Sequence, residues 1–470
     1  MEEENKATSN EIVEEEKKDV PEEKAENDVK EATEATEEQV PVKEMKCVVL
    51  SSFGGLKAIK IQNKPEPTPG EGEVLIRVKS CGLNFLDVML RQGIIDSPPK
   101  LPIIMGYECA GEVEAVGEGV PDVQVGDRVA ALTDCKSWAE LVVVNTKYIY
   151  KLPQEMTFQD ASAMLMNYVV AYGLVFDTAC IRENQAVLIH SAGGGVGLAI
   201  AQLIKTIPNV TLIGVASKHK HEAIKNYYAH LIERGTDYVQ EVKKLAPSGV
   251  DIVLDCLCGE DSNKGYGLLK PMGRYILYGN SSIVTGETKS IFSVAKSWWQ
   301  VDKLKPMKLF DENRSVSGFH LRHLLYKQNG HDYVRNAVEK IFKLWLDGQI
   351  KPIIDSTYAF EDIPEAMQHL HERKNIGKIT IDPAMEPKPK PVVESKKRKD
   401  SVKTDKKSED GKSQKTENKT QKNEEENTED DKDAPAVKLY DKNLLGAREF
   451  ILIFLQIVSI IMSLIYPILK

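Results

Sequence analysis

The residues with the clearest chemical meaning are His190-Ser191-Ala192-Gly193-Gly194-Gly195-Val196-Gly197. An apolar run from Gln185 to Ile189 precedes them, and an apolar helical pattern from Leu198 to Ile204 follows. A glycine turn between a strand and a helix is the setting in which a dinucleotide pyrophosphate is bound. Ala192 and Gly194 stand where that fingerprint wants a tight turn and an open backbone. Gly197 stands where helix and strand pack too closely for a side chain. The helix N-terminus offers unpaired N–H groups and a partial positive charge to phosphate. Ala192 replaces the first glycine of the fingerprint, so the match in spacing is incomplete.

The next apolar run, Val210 to Val215, reads as the second strand and leads into Ala216-Ser217-Lys218-His219-Lys220. Folds specific for NAD end this strand with an acid that binds the ribose 2′-hydroxyl. No carboxylate stands here to repel a 2′-phosphate, and Ser217 and Lys218 are candidates to bind one. That favours NADPH over NADH; the alternative is a solvated basic turn. His190, on the strand before the loop, reads as a buried, satisfied residue rather than a catalyst. No Ser–His–Asp or paired-carboxylate arrangement stands out.

The surrounding elements form two groups. Met45 to Leu50 and Val74 to Val78 read as strands separated by Pro65, Pro67, Pro69 and Gly70, and short strands with glycine turns continue to Val129. That pattern indicates a β-rich domain over 45–165. Helical periodicity begins at Asp160. Strands alternate with helices from the glycine loop onward, including Val250 to Asp255 and Gly273 to Gly279. Such alternation indicates a parallel sheet covered on both faces, here 166–305. From 306 to 383 the chain is expected to return to the β-rich domain, with a strand at Asp355 to Phe360, a helix at Ile363 to His371 and a closing strand at Gly377 to Ile381.

Composition sets the limits of this foldable part. The first 44 residues carry 17 acidic and 6 basic side chains, net −11 against −9 for all 470 residues. Such a segment buries too little apolar surface to offset its ordering entropy, so 1–44 reads as a disordered acidic tail. Residues 384–447 read as a charged disordered linker, including the basic run Lys396-Lys397-Arg398-Lys399. The seven cysteines form no CxxC pair, which suits reduced thiols and a cytosolic face. Phe450 to Leu469 is uncharged and long enough as a helix to span about 30 Å of hydrocarbon. Residues 448–470 therefore read as a transmembrane tail anchor. The receiving membrane is left open among mitochondrial outer membrane, endoplasmic reticulum and vesicle. No nucleic-acid partner is expected.

Gly72 to Val78, Cys81-Gly82-Leu83-Asn84-Phe85, Ala192 to Gly197, Lys264-Gly265-Tyr266, Leu268 to Gly273, Ser297-Trp298-Trp299, Gly318-Phe319-His320-Leu321 and Lys374 to Lys378 together carry a resemblance. The chain resembles the quinone-oxidoreductase-like branch of the medium-chain dehydrogenase/reductase superfamily, and within it the vesicle amine transport protein group. The resemblance implies a GroES-like domain packed on a Rossmann-type domain, with the active site in the cleft between them. Where zinc-dependent members carry catalytic metal ligands, this chain aligns Asn84, Tyr107 and Met166, and no metal is expected. Asn84 is then expected near the nicotinamide ribose and Tyr107 facing the cleft, as a proton donor or as a packing aromatic. Arg234 falls where the family has an adenine-contacting tyrosine. Gly279, Phe319 and Lys378 join the implied cofactor site. The expected activity is zinc-independent, NADPH-dependent reduction of a quinone or conjugated enone at a membrane surface. The alternative is a non-catalytic adaptor or lipid-binding protein that keeps a dinucleotide site. Members of the branch often dimerise, which makes a homodimer an expectation.

Overall fold

A computed structural model of the chain describes residues 43–290 and 306–389. Expectations for the acidic tail up to residue 42, for Trp298-Trp299, for the linker beyond 389 and for the 448–470 anchor lie outside these residues. Among the described residues no helix is long and apolar enough to cross a membrane.

The strand that carries the glycine loop, Ala186–His190, is buried along most of its length and lies inside a six-stranded sheet. From edge to edge the order is His230–Glu233, Thr211–Ala216, Ala186–His190, Val250–Asp255, Leu269–Leu277 and Ser315–Gly318, all parallel. Numbered along the chain this is 3-2-1-4-5-6, the doubly wound dinucleotide-binding topology. The direction of winding reverses beside the first strand, which opens a crevice at its carboxyl end. The glycine loop sits there.

The other sheet runs Ile354–Tyr358, Lys378–Ile381, Glu73–Leu83, Glu108–Val116, Arg128–Leu132 and Ile149–Lys151, with Leu141–Asn145 also paired to the long Glu73–Leu83 strand. A smaller sheet pairs Glu44–Leu50 with Ile59–Pro65 and Ile103–Ile104. Helix Phe158–Tyr172 is apolar around much of its circumference and buries nine residues. It packs on the β-rich sheet through Glu73–Leu83 and Glu108–Val116, and on helix Gly195–Ile204 of the other domain. Helices apolar on more than one face are buried between layers, and this one joins the two halves.

One boundary differs from the expectation. The chain does not return to the β-rich domain at 306. Ser315–Gly318 first adds the sixth parallel strand, and helix His331–Leu346 buries Val334, Val338, Ile341 and Phe342 in the core shared with the glycine-loop strand. The return comes at Ile354–Tyr358. The strand Ser-Val-Ser-Gly has neither a β-branched run nor alternation, so its pairing is set by the neighbouring Leu269–Leu277 edge rather than by local propensity.

Candidate active site in the interdomain cleft

A cavity of about 1030 Å³ runs between the domains. Gly193, Gly194, Gly195, Val196 and Gly197 line it at one end. Ser191, with φ of 56°, makes the left-handed turn out of the strand, and Gly194 caps helix Gly195–Ile204. The first-turn N–H groups of that helix have no intrahelical acceptor, the setting that favours an anion. A Cβ on Gly197 would stand 2.6 Å from the Ser191 carbonyl oxygen, and one on Gly195 would stand 2.2 Å from Asn167 Nδ2. The Tyr228 hydroxyl donates to the carbonyls of Ala192 (2.8 Å) and Gly197 (3.0 Å), fixing the loop from behind. Ala192 itself is buried and does not line the cavity. Its methyl packs toward Gly214, where a Cβ would approach it to 2.8 Å.

Beyond the second strand the structure reassigns a residue. Ser217 lines the cavity, but Lys218 is exposed and does not. A single 3-10 turn over Lys218–Lys220 points the first lysine outward and brings Lys220 underneath. Lys220 is buried, lines the cavity and donates to the Asn375 carbonyl at 2.5 Å. Arg234, held beside this strand end by its N–H bond to the Ala216 carbonyl (2.8 Å), and Arg373 line the same end. Burial, then the Arg234 charge, with Arg373 also contributing, pushes the Lys220 ammonium down to about 8. Burial and Arg234 likewise lower Arg373. Three cations thus crowd together, and Asp177 is the single carboxylate among the described lining residues. An anionic group is what such a site lacks.

At the other end Asn84, Met166 and Lys378 line the cavity. Lys378 Nζ donates to Glu108 Oε1 (2.5 Å) and to Asn84 Oδ1 (2.6 Å), and Asn84 Nδ2 donates to the same Glu108 oxygen (2.7 Å). The Met166 N–H completes the carboxylate through Oε2 (2.8 Å). Glu108 was adjacent to a residue singled out by sequence, yet its own role surfaces only here. Gly279 and Phe319 also line the cavity.

Tyr107 does not face the cleft. It is 1% exposed and absent from the cavity lining. Side chains alternate along an extended segment; Glu108 takes the side toward the cavity, and Tyr107 enters the core with Met105 and Trp138. Burial raises its phenol above the ordinary range, and the side chain does not reach the cavity. His190 is buried as expected but not fully satisfied: Nε2 has no partner among the described residues, and the ring meets Tyr238 edge-on at 4.9 Å.

Two family models match the chain: an alcohol dehydrogenase GroES-like domain over residues 70–154 and a zinc-binding dehydrogenase over 228–381. The mouse synaptic vesicle membrane protein VAT-1 homolog-like is 53% identical over 346 residues, covering 74% of this chain and 83% of that protein. The chain belongs to the VAT-1 group of the medium-chain dehydrogenase/reductase superfamily. The crystal structure of human VAT-1 homolog-like protein superposes with a TM-score of 0.65 at 47% identity, covering 73% of this chain and 99% of that one. A quinone oxidoreductase of Lama guanicoe is 28% identical over 343 residues, covering 72% of this chain and 97% of the enzyme. The superfamily's GroES-like and Rossmann-type layers are both present. The zinc of the second description does not fit here, because an amide, a phenol buried away from the cleft and a thioether are poor zinc donors.

Proposed function

We propose that this VAT-1 group member is an NADPH-dependent oxidoreductase that reduces a quinone or conjugated enone at a membrane surface. One observation carries the reading: Lys220, Arg234 and Arg373 converge on the cavity into which the glycine loop opens, with Ser217 and no acid at the end of the second strand. The loop receives the pyrophosphate, and the three cations receive the 2′-phosphate. Arg234 lies between both duties, next to the adenosine end. Bound NADPH supplies a hydride, and the chain supplies orientation and exclusion of water. Lys378 and Asn84 place a positive charge and an amide where an acceptor's oxygen gains charge, which suits substrates that need no metal to polarise them. The named quinone oxidoreductase relative supports the same substrate class.

The 448–470 segment, with its uncharged run Phe450 to Leu469, tethers the enzyme as a single-pass membrane anchor, leaving the catalytic domains on the cytosolic side. The vesicle-membrane names of the relatives support this. Among the described residues Ser315–Gly318 is the last strand of the six-stranded sheet, and an edge of that kind would serve a homodimer. A second reading, a non-catalytic adaptor that retains the dinucleotide, is favoured by one finding: Tyr107 supplies no donor to the cleft.

The test is a titration of the full chain with NADPH and NADH, read by nicotinamide fluorescence, followed by NADPH consumption with a panel of quinones and enones. At least tenfold tighter NADPH binding and turnover with one acceptor are expected. Binding without turnover on the whole panel would leave the adaptor, and equal binding of both nucleotides would overturn the cofactor assignment. Carbonate extraction of cells expressing 1–470 or 1–447 tests the tether; retention of the shorter chain in the membrane pellet would remove it.

A further inference from the structure

A second cluster shares the cleft: His320 and His323 line the same cavity as the glycine loop. Asp96, His320 and His323 each bring one donor atom within 4.8 Å of the others, and this is the single such group among the described residues. Asp96 belongs to the β-rich domain, in the loop after helix Phe85–Gln92, and the histidines open helix Leu321–Lys327 of the other domain. The two imidazoles are stacked, with centroids 3.9 Å apart and planes at 21°. His323 Nε2 lies 2.6 Å from Asp96 Oδ2. His320 accepts the His323 N–H on Nδ1 through a long contact of 3.2 Å.

A fourth group shows what the cluster is suited to hold. Lys327 Nζ lies 2.5 Å from Asp96 Oδ2 and 3.3 Å from His323 Nε2. A single ammonium thus occupies the point where a carboxylate and an imidazole nitrogen converge. Its own stem is partly exposed, so it can swing into water. Arg322 is engaged mainly by the two oxygens of Asp134 through Nε and Nη2 (2.7 and 3.2 Å); its Nη1 donates to the Asp96 main-chain carbonyl (3.2 Å) and lies 3.6 Å from Asp96 Oδ1, leaving Oδ2 to the Lys327 ammonium.

We propose that Asp96, His320 and His323 form a divalent transition-metal site of the zinc class that bridges the two domains, with Lys327 as its built-in competitor. Two imidazoles and one carboxylate are a sufficient protein ligand set for zinc, leaving a position for water. The metal takes Asp96 Oδ, His323 Nε2 and a ring nitrogen of His320. The His323 ring proton must then sit on Nδ1, the His320 contact to the His323 main-chain N–H gives way, and the Lys327 ammonium leaves for solvent as the cation enters. The site involves neither the nucleotide loop nor the Lys378–Glu108 pair, so it stands or falls independently of the activity proposed above.

The experiment is titration of the full chain, without a histidine tag, after chelator treatment and with Cys180 alkylated. Zinc is followed by calorimetry, and cobalt(II) by its visible ligand-field bands. One equivalent bound with low-micromolar affinity or tighter is expected. Lys327→Met is expected to tighten binding at least tenfold, and Asp96→Asn and His323→Ala each to weaken it at least tenfold. The Lys327→Met gain keeps the proposal falsifiable if either ligand variant folds poorly. Absence of binding in both wild type and Lys327→Met would overturn it. So would binding that His323→Ala leaves unchanged, or cobalt bands that lack imidazole coordination.

Discussion

The Lys378 ammonium lies 2.5 Å from the Glu108 carboxylate, and the two side chains are 3% and 0% exposed. They come from the strands on either side of Glu73–Leu83, and Asn84, which follows that strand directly, sits between them. Three adjacent strands therefore end on one buried polar group facing the cofactor cleft. Removing one member of a buried ion pair costs about 3–5 kcal/mol, because the other is left uncompensated. Glu108→Gln is expected to lose stability on that scale in urea denaturation. Glu108→Gln combined with Lys378→Met should recover much of it. Additive losses in the double variant would show that the pair is not coupled.

Lys220 gives the nucleotide preference a pH dependence. Its ammonium is lowered to about 8 in the free protein by burial and by neighbouring cations. The charge is therefore present at pH 7 and lost as pH rises through 8. NADPH affinity should weaken between pH 7 and 9 while NADH affinity stays level. Lys220→Met should flatten the NADPH profile and reduce affinity by roughly 10- to 100-fold, the scale of one charge-assisted hydrogen bond. Parallel slopes for the two nucleotides would place the 2′-phosphate elsewhere.

Gly377 ties the domains together at the glycine loop. Its N–H donates to the Gly193 carbonyl at 3.0 Å, its φ is +87°, and a Cβ would meet the Ile353 carbonyl oxygen at 2.2 Å. Gly377→Ala must shift this segment, at a cost of about 1–3 kcal/mol. Thermal unfolding should show the loss, and NADPH binding should weaken with it. Unchanged nucleotide affinity in a destabilised variant would separate the tie from the site.

Asp87 is buried, and burial raises its carboxyl to about 8 although the Asn84 N–H bonds it at 2.8 Å. The folded value lies above the unfolded value of about 3.9. The contribution of this group to stability is therefore fully present below pH 4 and lost as pH rises toward 8. Asp87→Asn keeps an acceptor for Asn84 and cannot ionise. Its stability relative to wild type should rise from pH 5 to pH 8 and level off above, as measured by urea denaturation at each pH. A constant difference across that range would mean Asp87 does not titrate as described.

The strand–loop–helix at 186–204 was fully legible because its signal is local: an apolar run, a glycine turn and a helical apolar face occupy consecutive residues. The same holds for Val250–Asp255 and for the helix Ile363–His371, which the structure places within the expected residues. Ser315–Gly318 was not legible, because a four-residue polar strand is defined by the edge it completes. Lys218 and Lys220 differ by two positions in one basic turn, and only the path of that turn decides which reaches the cleft.

By itself, then, the sequence determined the parts whose physics is contained in a short window: the nucleotide loop, the alternating strands and helices, and the absence of an acid after the second strand. Tertiary structure decided what depends on distant chain segments meeting. It brought Lys378 to Glu108 across 270 positions and Arg373 to Lys220 and Arg234, turned Tyr107 into the core, and stacked His320 and His323 opposite Asp96. Hydrogen bonds and charge act over a few ångströms of space, and separation along the chain does not encode that distance.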